Sequence, residues 1–526
     1  MAKTVSLTAD VLDKSTLLSI VIISVLVSML SLIVPIAAQT LVNLIAFGKL
    51  LQPVFTLSVM VFVLMISLGA LSVWQLIIIE IIQQKLMVKV SLNLTDQLAH
   101  LSLNNFSTHY GPELVNRFFE IVTIKKSLAS LLIYGINLGL QVFFGLILLL
   151  AYHPLFIIFD GFIILSVLLI IFLPYGKALY SAKQECDKKH KIGTWLEEIL
   201  INRFLFKFNF YDRFVLQETD RRLVEFLKVR NQHFKELIKQ QTGFYLLSAL
   251  ATSLLLGLGG YLVINNQLSL GQLVASEIVL GSFIYAFKRF GTLLENYYDL
   301  RASSDKISAL LSLPAEKEQK SLSFLSSLDH LRLRFGANNE AVVTVKRPLI
   351  IKTESSDLCQ NFVEELFGFT NHNLLKIDIN EVPCDNKHLV PLRHHSLLIT
   401  GTQWFAGSIY DNLFLRHKNI ANKEVYALLE RLQLIDKIRK LPEDLHTVIY
   451  DWQSVFTEVE LTKLMIARAF FLKPQLLVID RGLDLFDSQT LKEIFVLLER
   501  LESTLLIILS KRSDLPLSAH FSIVNI

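Results

Sequence analysis

The chain has 526 residues, with 51 Lys and Arg against 47 Asp and Glu, a formal net charge of +4 at pH 7. That excess is too small to argue for a nucleic-acid partner, because basic residues in cytoplasmic loops account for it. Hydrophobic residues make up 52%, charged residues only 19%, and the mean hydropathy is +0.48, which excludes a wholly soluble enzyme and points to a membrane part joined to a soluble one.

The opening "MAKTVSLTADVLDKST" is polar and mixed in charge, and the apolar run after it is too long for the core of a signal peptide. Six apolar segments before residue 300 are long enough to cross a bilayer, near 17–47, 54–82, 131–152, 155–176, 243–264 and 271–287. The connections after the first, third and fifth are tiny and contain only Lys49. Those after the second and fourth, about 83–127 and 177–242, are long and rich in Lys and Arg. Basic residues mark the cytoplasmic side, so the long connections, both termini and everything after Arg289 are expected in the cytoplasm. Their apolar periodicity is helical, so they read as membrane helices that run on into the cytoplasm, reverse and return. The reversing elements are expected at 107–118, "STHYGPELVNRF", and 193–204, "GTWLEEILINRF".

From about 325 to 526 the texture changes to β-rich runs alternating with helical segments: "AVVTV", "PLIIK", "SLLIT", "QLLVID", "TLLIILS" and "FSIVNI". That alternation predicts an α/β domain with a mainly parallel sheet. The fold class is therefore multidomain, an all-α membrane domain over 1–310 followed by an α/β domain over 325–526. Cys186, Cys359 and Cys384 are far apart, make no metal-ligand spacing among themselves, and fall in segments placed in the cytoplasm, so neither disulfides nor a metal is expected of them.

Six spans with long cytoplasmic extensions and a following α/β domain of this size resemble an ABC exporter half-transporter over nearly the whole chain. "GGYLVINNQLSLGQLVASEIVLGS" and "LLENYYDLRASSDKISALLSLP" are similar to the last spans and domain junction of type I secretion and peptide exporters. "FAGSIYDNLFL" is similar to the segment after the family's Q-loop, and "IARAFFLKPQLLVID" to the helix and strand between the signature motif and Walker B. The resemblance implies a P-loop-NTPase-like domain, a multi-pass place in a bacterial inner membrane among lipid, and a dimer. The second subunit would be either a catalytically complete ABC subunit or another copy of this chain.

The positions that carry the family's chemistry depart from it. Counting back from "ELFGF", the phosphate loop falls on 353–361, "TESSDLCQN", beginning at Thr353 and passing Ser356. It holds no glycine to free backbone N–H groups, Cys359 stands where the lysine belongs, and Gln360 replaces the hydroxyl residue that binds magnesium. Glu354 and Asp357 add negative charge where a triphosphate would lie. Thr400 takes the Q-loop glutamine position, and Phe456, Thr457, Glu458, Val459 and Glu460 take the signature. Asp480 of Walker B survives, Arg481 replaces the catalytic glutamate, and Ser510 replaces the switch histidine. No catalytic residue is therefore expected. No cofactor is expected to be held tightly, and ATP with Mg2+ is expected only weakly or through a partner subunit.

Among single residues, Asp480 reads as an acid pairing with Arg481 or capping a turn, and Cys359 as a neutral buried thiol. Asp160, within the fourth span, reads as solvated or facing the bundle, and Glu80 and Glu277 raise the same question. In the first reversing element Glu113 suits a helix N-terminus, and Leu114 and Phe118 share a face flanked by Arg117. That face reads as an apolar knob suited to a groove on another domain. In the second element Trp195 and Glu198 are the candidates for the same coupling role, which the resemblance implies for both turns.

Overall fold

The structure is a computed structural model that describes residues 14–47, 51–102, 111–208, 212–316, 327–335, 339–370, 375–384, 389–401, 403–415, 422–501, 503–516 and 520–525. It divides into two compact units, the first reaching Ala315 and the second starting in the main at Glu316.

The first unit is helical. Helices α1 (Lys14–Leu30) and α2 (Ile33–Phe47) are separated by a two-residue turn. Pro35 accounts for that break: it has no N–H to donate to the preceding turn, and it is tolerated only in the first turn of α2. Helix α3 (Leu51–Ala99) has 49 residues. Next come α4 (Gly111–Asn116), a 3-10 turn Arg117–Phe119, and α5 (Glu120–Ser130), which passes through a π turn at Leu131–Gly135 into α6 (Ile136–Tyr152). Helices α7 (Phe156–Ile201), α8 (Asp212–Ile264) and α9 (Leu270–Leu311) complete the unit. Six helical stretches are apolar and long enough to cross a membrane. At 1.5 Å per residue α3 is roughly 70 Å long, more than twice the hydrocarbon core of about 30 Å, so it must continue beyond the bilayer as its composition indicates.

Small and polar residues hold the spans together. Gln75 of α3 donates to Ser24 of α1 at 2.9 Å and accepts from Asn137 of α6 at 2.9 Å, so one buried amide joins three helices. Gly145 of α6 lies where a Cβ would meet the Phe283 ring of α9 at 2.5 Å. Asp160 faces the bundle rather than solvent, with 7% of its surface exposed. Glu277 has one buried carboxylate oxygen without a partner, whereas Glu80 is exposed and accepts from Gln83 and Gln84 on its own helix.

The segment 193–204 is not a separate reversing element. Residues 193–201 complete α7, and the chain turns only after Asn202. Nothing in "GTWLEEILI" stops a helix: Gly193 keeps ordinary helical backbone, and the rest are tolerated helix formers. Of the first reversing element, residues 107–110 lie outside the described residues.

The second unit has two main sheets. The parallel sheet has five strands in the order β11 (Ser522–Asn525), β3 (Leu349–Lys352), β10 (Leu505–Ser510), β9 (Leu476–Asp480), β6 (Ser396–Ile399). These are five of the six apolar runs read from the sequence. The sixth, "AVVTV", is β2 (Asn339–Thr344) and belongs to a separate antiparallel sheet with β1 (His330–Phe335), β4 (Leu375–Ile379) and β5 (Val382–Cys384). Strands β9 and β10 are buried on both faces, which is why they read as continuous apolar runs. Helices α10 (Ser356–Leu366), α11 (Val390–His394), α12 (Ile409–Phe414), α13 (Asn422–Arg431), α14 (Ile435–Ile438), α15 (Trp452–Val455), α16 (Glu458–Leu472) and α17 (Ser488–Leu498) surround the sheets, with a short ribbon of β7 (Gly407–Ser408) and β8 (Val448–Ile449).

Candidate functional site

Ligands of open parallel sheets bind beyond the carboxyl ends of the strands. Here β3, β6, β9 and β10 end on one edge, with Lys352 opposite Ser510, Asp480 opposite Leu509, and Ile399 opposite Ile479. The segments that follow them enclose a cavity of about 370 Å³ whose wall includes Glu354, Thr400, Glu458, Asp480, Arg481, Asp484 and Lys511. Among these named residues are four acids and two bases, an excess of negative charge on the wall. Two of them, Asp484 and Lys511, are residues the sequence reading did not assign to this edge, and Glu458, placed in the signature, shares the cavity with Asp480.

The segment read as the phosphate loop is mostly helix. Of residues 353–361 only Thr353, Glu354 and Ser355 lie between β3 and α10; the helix already begins at Ser356. The Ser355 hydroxyl caps that helix by accepting from Leu358 N at 3.4 Å, and the Thr353 hydroxyl accepts from Ser355 N at 3.3 Å. Donors that a phosphate would need are thus engaged by the chain's own hydroxyls. Cys359 points into the apolar core among Leu349, Ile351 and Phe362, where burial pushes its thiol above the ordinary range. Ser356 and Gln360 are exposed, and Gln360 donates to Glu364 on the next helical turn at 2.8 Å.

At the Walker B end, Asp480 is 9% exposed and lies 3.4 Å from the Arg481 guanidinium. Its other oxygen accepts from the Thr400 hydroxyl at 3.4 Å. Burial raises the Asp480 carboxyl above its usual range, and Arg481 and Thr400 oppose that shift. Arg481 has φ of +52°, the left-handed region, so it sits in backbone that side chains seldom adopt. Ser510 is fully buried and donates to Asp484, whose second oxygen accepts from Lys511 N at 3.3 Å. Gln403, two residues from the glycine after Thr400, contributes its carbonyl to Arg468 at 3.4 Å.

The signature positions start a helix and close it off. Thr457 is the N-cap of α16; its hydroxyl accepts from Glu460 N at 3.3 Å, while the Glu460 carboxylate accepts from Thr457 N at 2.7 Å. This reciprocal capping satisfies helix-end donors with the protein's own acid. Lys437 then binds that carboxylate at 2.6 Å and stacks over the buried Phe456 ring. Glu458 is exposed and Val459 half-buried. An anion approaching this N-terminus would meet the Glu460 carboxylate already there.

The residues read as coupling elements are arranged differently from an apolar knob offered to another domain. Leu114 is 1% exposed and packs within the helical unit against residues such as Leu86, Val90 and Ile121. Phe118 is half-buried against the same cluster. The side chains that face outward are Val115 and Phe119, at 53% and 63% exposure. The shared face of Leu114 and Phe118 turns inward because α3 and α5 present an apolar stripe to it. Arg117 pairs with Glu113 at 3.0 Å. Trp195 is buried too: its indole N–H donates to Thr219 at 2.8 Å, and the Arg222 guanidinium lies 4.9 Å over its ring. It fastens α7 to α8, with Glu198 half-buried one turn on. Exposed apolar residues at that end include Leu200, Ile201, Phe204 and Phe208.

No protein-family model matches the chain. It is 22% identical over 98% of its length to the lactococcin-A transport/processing ATP-binding protein LcnC of Lactococcus lactis, of which it spans 74%. It is 22% identical over 82% of its length to the mesentericin-Y105 transport/processing ATP-binding protein MesD of Leuconostoc mesenteroides, of which it spans 61%. A bacterial Atm1-family ABC exporter solved with ATP bound superimposes with a TM-score of 0.83 at 14% identity, covering 98% of this chain and 94% of that one. The chain therefore has the ABC exporter architecture, six membrane helices followed by an α/β domain, and is a multi-pass protein of the bacterial inner membrane.

Proposed function

We propose that this chain is a membrane subunit of an ABC-type export system that contributes a substrate path without hydrolysing ATP itself. The observation that carries the reading is the filling of the nucleotide edge from within: Ser355 and Glu460 occupy the two helix N-termini, and Arg481 stands beside the one retained acid. An ATPase of this architecture needs donors free for the phosphates and a group that orients the attacking water. Neither is offered here. The names of the relatives point to peptides as the cargo class. Energy for export then comes from a catalytically complete ABC subunit paired with this one, with nucleotide bound to this chain weakly or only through that partner.

The self-capped signature helix favours a second reading. If neither half of a shared nucleotide site is competent on this chain, its role narrows to a non-hydrolysing scaffold or regulator in the membrane. Co-purification from native membranes separates the two: a complete ABC subunit recovered in equal amount supports the transporter subunit, and unrelated membrane proteins support the scaffold. Purified alone, the chain should turn over ATP no faster than buffer, and Arg481→Glu should not restore turnover. Magnesium-dependent hydrolysis by the isolated chain, abolished by Asp480→Asn, would overturn both.

A further inference from the structure

Away from the nucleotide edge, three buried side chains of different chemistry converge where the helices following the membrane spans pack together. Cys186 and His190 are four residues apart on α7, so they project from the same face one turn apart. Glu120, the first residue of α5, comes from the neighbouring helix. The thiol, an imidazole nitrogen and a carboxylate oxygen all lie within 4.8 Å of one another. Their exposures are 7%, 8% and 2%.

The histidine is the telling member. Its Nε2 lies 3.0 Å from Glu120 Oε1 and is sealed from solvent. A buried polar nitrogen normally has a partner. Here its contact is an ion pair with the Glu120 carboxylate, one of the two other candidate ligands. The other carboxylate oxygen is anchored by the Ser303 hydroxyl of α9 at 2.5 Å, the kind of outer hydrogen bond that orients a ligating acid. A cavity of about 180 Å³, walled in part by Glu120, Cys186, Asp299 and Ser303, leaves room for a water.

We propose that Glu120, Cys186 and His190 form a binding site for a thiophilic divalent cation, Zn2+ above all, with water from the adjoining cavity as fourth ligand. A mixed set of one sulfur, one nitrogen and one oxygen suits Zn2+ and is poorly matched to Ca2+ or Mg2+, which take oxygen ligands. Thiolate and carboxylate together neutralise the ion, and the thiol proton leaves to solvent on binding. Lys189 now lies 2.6 Å from Glu120 Oε1 and is the cation the metal replaces. Its side chain is 51% exposed, so it can swing outward. Arg230, the other cation on the cavity wall, is already paired with Glu185 at 3.2 Å. Because the ligands come from α5 and α7 and the anchoring serine from α9, an ion here ties together the stems of three spans. The site owes nothing to the export reading.

The test uses the full chain in detergent, reduced and stripped with a chelator, with Co2+ as the spectroscopic probe. The expected result is one Co2+ per chain with a thiolate-to-cobalt absorption in the near ultraviolet, displaced by one equivalent of Zn2+. Cys186→Ser should abolish that band, while Cys359→Ser and Cys384→Ser should leave it. Chelator competition should give Zn2+ binding weakened about 10- to 100-fold in Ser303→Ala, the usual effect of losing an orienting hydrogen bond, and more in His190→Ala. A wild-type chain without the thiolate band overturns the proposal whether or not any variant folds. So does a band that follows Cys384, or one unaffected by His190→Ala.

Discussion

Two regions of the α/β unit lie within one strand length of each other and obey different rules. In the middle of the parallel sheet, Leu477, Val478, Ile479, Ile507 and Ile508 are fully buried, and the strands keep the apolar character an α/β core requires. At the carboxyl edge of the same strands, the residues are mostly polar and paired with one another, Asp480 with Arg481 and Thr400, and Ser510 with Asp484. Apolar volume is demanded by folding whatever the protein does. Edge residues are demanded only by the ligand.

Substitutions should separate the two regions cleanly. Ile507→Ala empties space in the central strand and should cost about 2–5 kcal/mol, seen as a much lower melting temperature of the detergent-solubilised chain. Arg481→Glu at the edge removes one partly exposed pair and should move the same melting curve far less. A loss at Arg481 as large as that at Ile507 would mean the edge bears structural weight, and the contrast would fail.

The core was the legible part. Five of the sheet's strands stand out in the sequence as unbroken apolar runs. The antiparallel strands β1, "HLRLRF", and β4, "LKIDI", were missed because charges alternate with apolar residues in them, as they do in a sheet with one face open. At the edge, register identified which positions had changed, but not what had filled them. The pattern Thr457-x-x-Glu460 is itself a capping-box signature, and it was read only as a ruined motif. The metal-ligand candidates were harder: Cys186 and His190 are close in sequence, but Glu120 is 66 positions before Cys186 and only the fold brings it there.

The helical unit offers the same contrast between inside and outside. Gly145→Leu should destabilise by about 1–3 kcal/mol, because a side chain there meets the Phe283 ring, and loss of folded protein in membranes would register it. At the first cytoplasmic turn, Leu114→Asp should also fail by misfolding, since Leu114 is core. Val115→Asp with Phe119→Asp should leave the chain inserted at normal level. If those two side chains engage another domain, export in vesicles drops while a partner's ATPase persists. Normal export by this double variant would remove the surface from the coupling role.

The smallest effect belongs to the capped signature helix, and it has a sign that can be worked out. Thr457→Ala should cost about 1 kcal/mol, the ordinary worth of an N-cap. Burial raises the Glu460 carboxyl, but the bonds from Lys437 and Thr457 outweigh that and hold it below its usual value. A carboxylate depressed in the folded state adds stability above its unfolded pKa and loses it as the pH falls through the folded one. The contribution is therefore whole at neutral pH and fades only in acid, below the ordinary range of a glutamate near 4.3. Wild type and Glu460→Gln should then differ in melting temperature at pH 7 and converge as the pH drops below about 4. A difference that stayed constant across that window would mean the carboxylate's charge is not what caps the helix, and that its N-terminus is still open to an anion.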